Sequence, residues 1–592
     1  MPSNDCRNPA TGNQSAQAMD SSVPTSDSPS LHSGVTQGAQ GADSAGLDPT
    51  RDSLAGSGIT DPRALGATHF IGIGGAGMSV LAEMLHETGV QVSGSDRQAS
   101  EKTEHLEKLG ITVHTGQKAE NVLGARTVVW SSAIKPDNPE ILAARAQGSR
   151  ILHRSDILAL LMASRRSVTV AGAHGKTTTS ALTAHILTEA GTGRLADPSY
   201  AIGSSIQSAQ GAIDGGHVGQ GDVLVAEADE SDGSFSKYHP TIAIVTNVEP
   251  DHLDHYGTPT AFRQAFVDHA RRAEGYLVIC GDDQGGLDVL RDLDGDCRAR
   301  IVVYSTGTRS QLGEETLKGA SLVRIVSESE ASGSGRERCT LRIPSNLLDL
   351  NAGGSGTDTG RSGGSGDSAG RGDSTDRTVD IPVDLAIPGL HNARNAAAAI
   401  IACTLLGMDP QAAARAAGDF RGASRRFEVR GEIGGVTLVD DYAHHPTEIA
   451  ALLDAARRRY PNRVIRVLFQ PHLFSRTRIF ADQFAAALSQ ADDVTVTGIF
   501  PARERQEDYP EVGPDTILQA RRSAKAEDAP GYQADFHACE DMNQAALDVA
   551  DRAQPGDVII TVGAGDITTM GQVILDRLAS RSEGQDRREG AR

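Results

Sequence analysis

Apolar and polar positions alternate along the chain in short strand-length runs separated by stretches of helical period, beginning at about residue 66. The first run, Thr68-His69-Phe70-Ile71, passes through a glycine turn into Val80-Leu81-Ala82-Glu83-Met84-Leu85, whose apolar positions fall on one helical face. Further strand-like runs are Val90 to Ser95, Ile111 to Val113, Thr127 to Trp130 and Arg150 to Leu152. A second series has Ser167 to Val170, Asp222 to Ala226 and Thr241 to Thr246, and a third has Val436 to Val439, Val464 to Phe469, Val494 to Val496 and Asp557 to Val562. Strands alternating with helical stretches predict parallel sheets covered by helices, so the fold class is α/β in three domains. The expected boundaries are 66–163, 164–421 and 422–582.

Outside these series the pattern fails. Residues 1–65 are rich in Ser, Gly, Ala, Asp, Gln and Thr, and predict a disordered tail. A Gly-, Ser- and Asp-rich stretch over about 308–380 predicts a flexible insertion in the second domain, and 583–592 a frayed charged end. At 592 residues the chain is long enough for several cores. Its net charge of −21 argues against general binding to nucleic acid or anionic lipid. Six scattered cysteines without C-x-x-C or zinc spacing suggest neither a disulfide framework nor a zinc knuckle. Without an apolar leader or an 18-residue apolar run, the expectation is a cytoplasmic protein with no membrane insertion, a monomer or weak homodimer.

The chemistry concentrates at strand ends. Ala171-Gly172-Ala173-His174-Gly175-Lys176-Thr177-Thr178-Thr179 lies between a strand and the helical run Ser180 to Leu187. Glycines there let backbone N–H groups turn onto a polyanion, the helix N-terminus favours negative charge, Lys176 reaches the outer phosphates, and the Thr177 hydroxyl suits Mg²⁺. Only two residues separate Gly172 from Gly175, where the usual phosphate loop has four between its glycines. The next strands deliver Glu227-Ala228-Asp229-Glu230-Ser231-Asp232 and Asn247-Val248-Glu249-Pro250-Asp251-His252 at their carboxyl ends, the site-facing edge of a parallel sheet. The G-x-G-x-x-G of Gly72 to Gly77, with Asp96 after the second strand, fits either a mononucleotide half or a dinucleotide-binding unit. In the third series, Asp440-Asp441-Tyr442-Ala443-His444-His445-Pro446 ends one strand and Ser475-Arg476-Thr477-Arg478 follows another, a polar pocket suited to a small α-carboxylate.

Seven blocks in collinear order resemble the Mur ligases: Phe70 to Ser79, Gly172 to Thr179, Glu227 to Asp232, Asn247 with Asp251-His252, His391-Asn392, Arg425-Arg426-Phe427 and Asp440 to Pro446. The resemblance covers about 66–580 and implies an N-terminal Rossmann-like UDP-sugar domain, a central P-loop ATPase domain and a C-terminal Rossmann-like domain for the amino acid. It implies ATP and Mg²⁺ as cofactors, and UDP-N-acetylmuramate and L-alanine as partners joined through an acyl phosphate. By the same resemblance Gly172, His174, Gly175, Lys176, Thr177, Thr178 and Asn247 face the ATP phosphates, with His391, Asn395, Arg425 or Arg426, and Asp440 reaching ATP across the domain interface. Thr177, Glu227 and His252 hold the metal, and Lys176, Glu227, His252, Arg426 and His444 are the catalytic set. Gly74, Gly75, Ala76, Gly77, Asp96, Ser132 and Arg154 fall on the UDP-sugar side, and Tyr442, His444, Arg476 and Arg478 around the substrate carboxylates.

Two departures stand out. Ala173 occupies a position where the family usually has Thr, and Tyr238 to Leu317 contains no lysine, which excludes the carbamylated lysine that several of these ligases carry. Competing readings are a ligase that reattaches a recycled tripeptide, an NAD-dependent oxidoreductase that leaves Lys176 idle, and a non-catalytic nucleotide-binding scaffold.

Overall fold

The computed structural model describes residues 47–208, 211–293, 297–317, 319–327, 336–348, 377–502, 504–523 and 534–589. Among the described residues three large sheets follow one another along the chain, and Ile206–Ser208 pairs with Gly211–Ile213 in a separate two-stranded one. In the first, five parallel strands are ordered Thr112–Thr115, Val92–Asp96, Thr68–Ile71, Thr127–Trp130 and Arg150–His153. Thr68–Ile71 and Thr127–Trp130 are buried at every position, as expected of strands covered on both faces. The order reverses at Thr68–Ile71, and the glycine turn that follows opens at that switch point.

The second sheet has ten strands, with Arg166–Ala171 held between Val223–Glu227 and Ile242–Val245, parallel to both. Their carboxyl ends therefore open on one edge. Helix Lys176–Ala190 leaves that edge and packs on the alanine-rich helix Leu390–Leu405. Buried Ala393, Ala396 to Ala399 and Ala402 keep this second helix thin enough to lie against the first. In the third sheet the order is Glu428–Ile433, Val436–Asp441, Val558–Val562, Ile465–Phe469, Asp493–Thr497 and Asp535–Cys539, with only the first pair antiparallel.

Three sequence expectations need correction. The stretch 308–380 is not all insertion: Ser321–Ser327, Glu337–Pro344 and the beginning of Thr378–Leu385 form an antiparallel edge on the second sheet. Cys339 and Leu341 pair with Val383 and Ile381, and these four point inward in alternation together with Ile343 and Leu385, a period-2 signal that the surrounding glycines and serines dilute. The predicted tail stops short of residue 65. Leu47, Leu54 and Ile59 pack against buried apolar clusters, and Asp61 caps the turn Pro62–Leu65. The frayed end is helical in backbone through Glu589, within Met570–Glu589. Residues 1–46 and 349–376, where the remaining tail and insertion fall, lie outside the described residues.

Candidate functional site

Gly172 and Gly175 show why the loop after Arg166–Ala171 has its composition. Both have positive φ, +140° and +82°, and a Cβ would stand 2.1 Å from Thr246 Oγ1 at Gly172 and 2.7 Å from Asn395 Oδ1 at Gly175. The backbone is thus pressed against its neighbours where only glycine fits. Asn247 fixes the loop from the adjacent strand: His174 N–H donates to Asn247 Oδ1 at 2.9 Å, and Asn247 Nδ2 donates to His174 O at 2.8 Å. Lys176 Nζ donates to Gly172 O at 2.6 Å and to Glu230 Oε1 at 2.8 Å. Burial works against the Lys176 charge, but Glu230 and Asp229 outweigh it and hold the ammonium above its usual range.

The acids after Val223–Glu227 gather beside it. Glu227 accepts from Gly203 N–H at 3.2 Å and from the Thr177 side chain, and burial raises its carboxyl despite Lys176. Glu230 is 1% exposed, and its Oε2 is buried without a hydrogen-bond partner among the described residues. His252, at φ 51°, brings Nε2 to 3.8 Å from Glu230 Oε1. On the other side, Arg154, the first residue of the helix after the first sheet's last strand, donates to Asp229 Oδ2 at 2.6 Å, and Ser132 Oγ donates to Asp232 Oδ2 at 2.6 Å. Gly77 lies under Arg154, with a Cβ position 3.1 Å from Nη1, and Asp96 accepts from Gly74 N–H at 2.9 Å, which pins the glycine turn. Gly75 caps the helix that Ala76 begins.

A cavity of about 330 Å³ opens between the loop and the third sheet. His174, Gly175, Thr178 and Asn247 line it from the second sheet, His391 and Asn395 from the alanine-rich helix, and Arg426, Phe427, Asp441 and Glu448 from the third unit. Glu448 knits the two sides together. It accepts from His444 N–H at 2.9 Å and His445 N–H at 3.2 Å, and stands 3.3 Å from His174 Nδ1 and 3.2 Å from His444 Nδ1. Burial disfavours charge on His174, yet Glu448 and Glu249 on its two sides push the imidazole up to about 9. His444 goes the other way: burial, with Arg476 nearby, brings it down to about 3 against the pull of Glu448. Burial likewise lowers His391 to about 4 and raises Asp441 to about 6, the latter against the pull of Arg426.

Not every residue expected here arrives. Arg426 lines the cavity, whereas Arg425 donates to Gly563 O at 2.6 Å and turns toward the loop after Val558–Val562. Asp440 is 1% exposed and accepts from Thr561 and Thr568 hydroxyls, so its neighbour Asp441 takes the cavity-facing place. Strand alternation accounts for the exchange. Arg478 is away from the pocket, 3.4 Å from Glu511 and over the Tyr509 ring. Arg476 is buried, donates to Asp251 Oδ1 at 2.7 Å, and leaves Nη1 without a partner among the described residues. Tyr442 carries both Arg425 and Arg426 over its ring, at 4.9 and 5.1 Å. The sequence reading gave no individual role to Glu249, Asp282, Arg394, Asp441 or Glu448. Glu249 and Asp441 lie inside quoted motifs and Glu448 two residues after one, while Asp282 and Arg394 meet at 2.8 Å from distant segments and leave no local signal.

Three family models match the chain in order: "Mur ligase family, catalytic domain" over 67–166, "Mur ligase middle domain" over 170–324 and "Mur ligase, glutamate ligase domain" over 425–565. A UDP-N-acetylmuramate–L-alanine ligase of Bifidobacterium adolescentis is 60% identical over 533 residues, covering 90% of this chain and 96% of its own. One of Renibacterium salmoninarum is 42% identical over 521 residues, 88% of this chain and 97% of its own. The crystal structure of UDP-N-acetylmuramate-alanine ligase from Thermotoga maritima superposes with a TM-score of 0.64 at 26% identity, covering 87% of this chain and 99% of that one. The chain belongs to the Mur ligase family.

Proposed function

We infer that the chain is an ATP-dependent ligase that joins L-alanine to the lactyl carboxylate of UDP-N-acetylmuramate, in peptidoglycan precursor synthesis. The observation that carries the substrate pair is its likeness, along nine-tenths of its length, to ligases named for that pair. A carboxylate is a poor electrophile toward an amine, so the γ-phosphoryl group is transferred to it first. The neutral amine of alanine then attacks the acyl phosphate, and phosphate leaves. Around this chemistry Gly172, His174, Gly175, Lys176 and Thr178 cradle the phosphates, and Arg426 adds positive charge from the opposite wall, where negative charge moves in the transition state. The nucleoside part takes the cavity beside His391, Asn395 and Asp441.

The donor set suits Mg²⁺. Glu230 Oε2 is buried without a partner, and Thr177 and Glu227 are in mutual contact, so hard oxygen donors converge next to Lys176. Thr177, Glu227 and His252 would hold the ion, with Glu230 beside them. When bound, the ion neutralises phosphate charge. Lys176 positions the outer phosphates, and Glu448 keeps the third unit against the loop so that water is excluded from the reactive ester. Arg476, with its free buried Nη1, takes a substrate carboxylate beside Tyr442 and neutral His444, and Ser132 and Arg154 face the UDP-sugar above Gly74 to Gly77 and Asp96. The domain limits we assign are 47–163, 164–421 and 422–589. The testing experiment replaces Arg476 with Lys or Ala: KM for one carboxylate substrate should rise at least tenfold while KM for ATP changes little. Unchanged KM for both carboxylates removes Arg476 from that role.

A further inference from the structure

Away from the nucleotide cavity, Glu83, His105 and Asp214 meet on the seam between the first and second sheets. Glu83 lies on helix Ala76–Glu87, His105 in the last turn of Glu101–Lys108, and Asp214 in the turn between the short strands Gly211–Ile213 and Gly216–His217. His105 Nε2 stands 3.6 Å from Glu83 Oε2 and 3.5 Å from Asp214 Oδ2, longer than the roughly 2.7–2.9 Å of a charge-assisted hydrogen bond. That nitrogen is buried and has no hydrogen-bond partner among the described residues. All three donor atoms lie within 4.8 Å of one another. Ligands held about 2.0–2.2 Å from a tetrahedral ion are about 3.3–3.6 Å apart, so a spacing too wide for hydrogen bonding is the spacing of a coordination shell.

The local charge points the same way. Glu83 is 12% exposed at its side chain, and among the described residues neither it nor Asp214 pairs with a lysine or arginine. Glu87, one turn further along the helix, adds another carboxylate, which accepts from Val218 N–H at 2.8 Å. Asp214 is 63% and His105 40% exposed, so an ion could enter from solvent and keep water in its remaining position. We propose that Glu83, His105 and Asp214 form a binding site for a divalent transition metal of the zinc type, which ties the first two helices of the N-terminal unit to the second sheet. One imidazole and two carboxylates form a borderline N/O set that favours Zn²⁺ over Mg²⁺ or Ca²⁺.

The experiment uses the full chain stripped with chelator and loaded with Zn²⁺, or with Co²⁺ as a spectroscopic probe. The His174, Glu249 and His445 group also has ligand spacing, so the comparison is between wild type and the variants His105→Gln and Asp214→Asn. Wild type should retain one metal ion more than either variant, and its visible four-coordinate Co²⁺ band should exceed theirs by the contribution of one site. Zn²⁺ should also raise the unfolding temperature of wild type more than that of the variants. Asp214→Asn is an exposed, near-isosteric change, so its effect on metal binding does not depend on refolding of the core. Equal metal content and equal Co²⁺ spectra in all three proteins would overturn the site.

Discussion

Replacing Glu448 with glutamine removes one negative charge from the seam between the second and third sheets while preserving side-chain size. In the native arrangement Glu448 faces His174 Nδ1 at 3.3 Å, His444 Nδ1 at 3.2 Å and Arg426 Nη1 at 3.8 Å, and its side chain is 9% exposed. The gap between about 9 for His174 and its ordinary 6.5 is worth about 3 kcal/mol of preference for the protonated ring. Glu448 is the stronger of the two attractions, ahead of Glu249, so at least half of that, roughly 2 kcal/mol, should vanish in Glu448→Gln. His174 would then titrate at least one pH unit lower. Because the folded value lies above the ordinary one, the stabilisation is complete below about pH 6.5 and is lost as pH rises through about 9. In the variant the loss moves to lower pH. The assay is an NMR titration of ¹⁵N-histidine-labelled protein, with His174→Asn to assign the signal. A wild-type His174 that titrates near 6.5, or a Gln variant with an unchanged titration, would refute the reasoning.

Lys176→Ala should abolish turnover, at least a thousandfold, with an unchanged far-UV spectrum, and measurable ligase activity near wild type would remove the loop from the phosphate site. Gly175→Ala should weaken ATP binding at least tenfold in a calorimetric titration, since its Cβ would lie 2.7 Å from Asn395 Oδ1 at φ +82°. Unaltered affinity would show that the loop relaxes at little cost. Removing residues 1–46 should leave the rate within a few-fold, whereas removing 1–60 should lower the unfolding temperature as well, because Leu54 and Ile59 pack on the core and Ser53 N–H donates to Asp156 at 3.4 Å. Equal unfolding temperatures for the two truncations would contradict that packing.

The strand ends were readable because glycine and charged residues directly after buried apolar runs have few other uses, as at Gly172 to Lys176 and Glu227 to Asp232. The sequence could not say which face of Val436–Asp441 points into the cavity. Both Asp440 and Asp441 are buried, and only tertiary packing puts Thr561 and Thr568 against the first and leaves the second for the nucleotide side. Arg476 and Arg478 posed the same problem on a helix, where two residues of separation turn side chains about 200° apart. The antiparallel edge around Cys339, Leu341 and Ile343 was hidden by averaging composition over a window that also contained residues 349–376. Contacts such as Asp282 with Arg394 depend on segments more than a hundred positions apart, which local pattern does not encode.

The most direct measurement is the mass of the UDP-sugar product when purified protein is supplied with Mg-ATP, UDP-N-acetylmuramate and one amine at a time. One L-alanine residue should be added with release of ADP and phosphate, glycine or L-serine should be added less efficiently, and alaninamide or D-glutamate should give no product. Preferential addition of an intact tripeptide, or no change in mass with any amine, would contradict the proposed function.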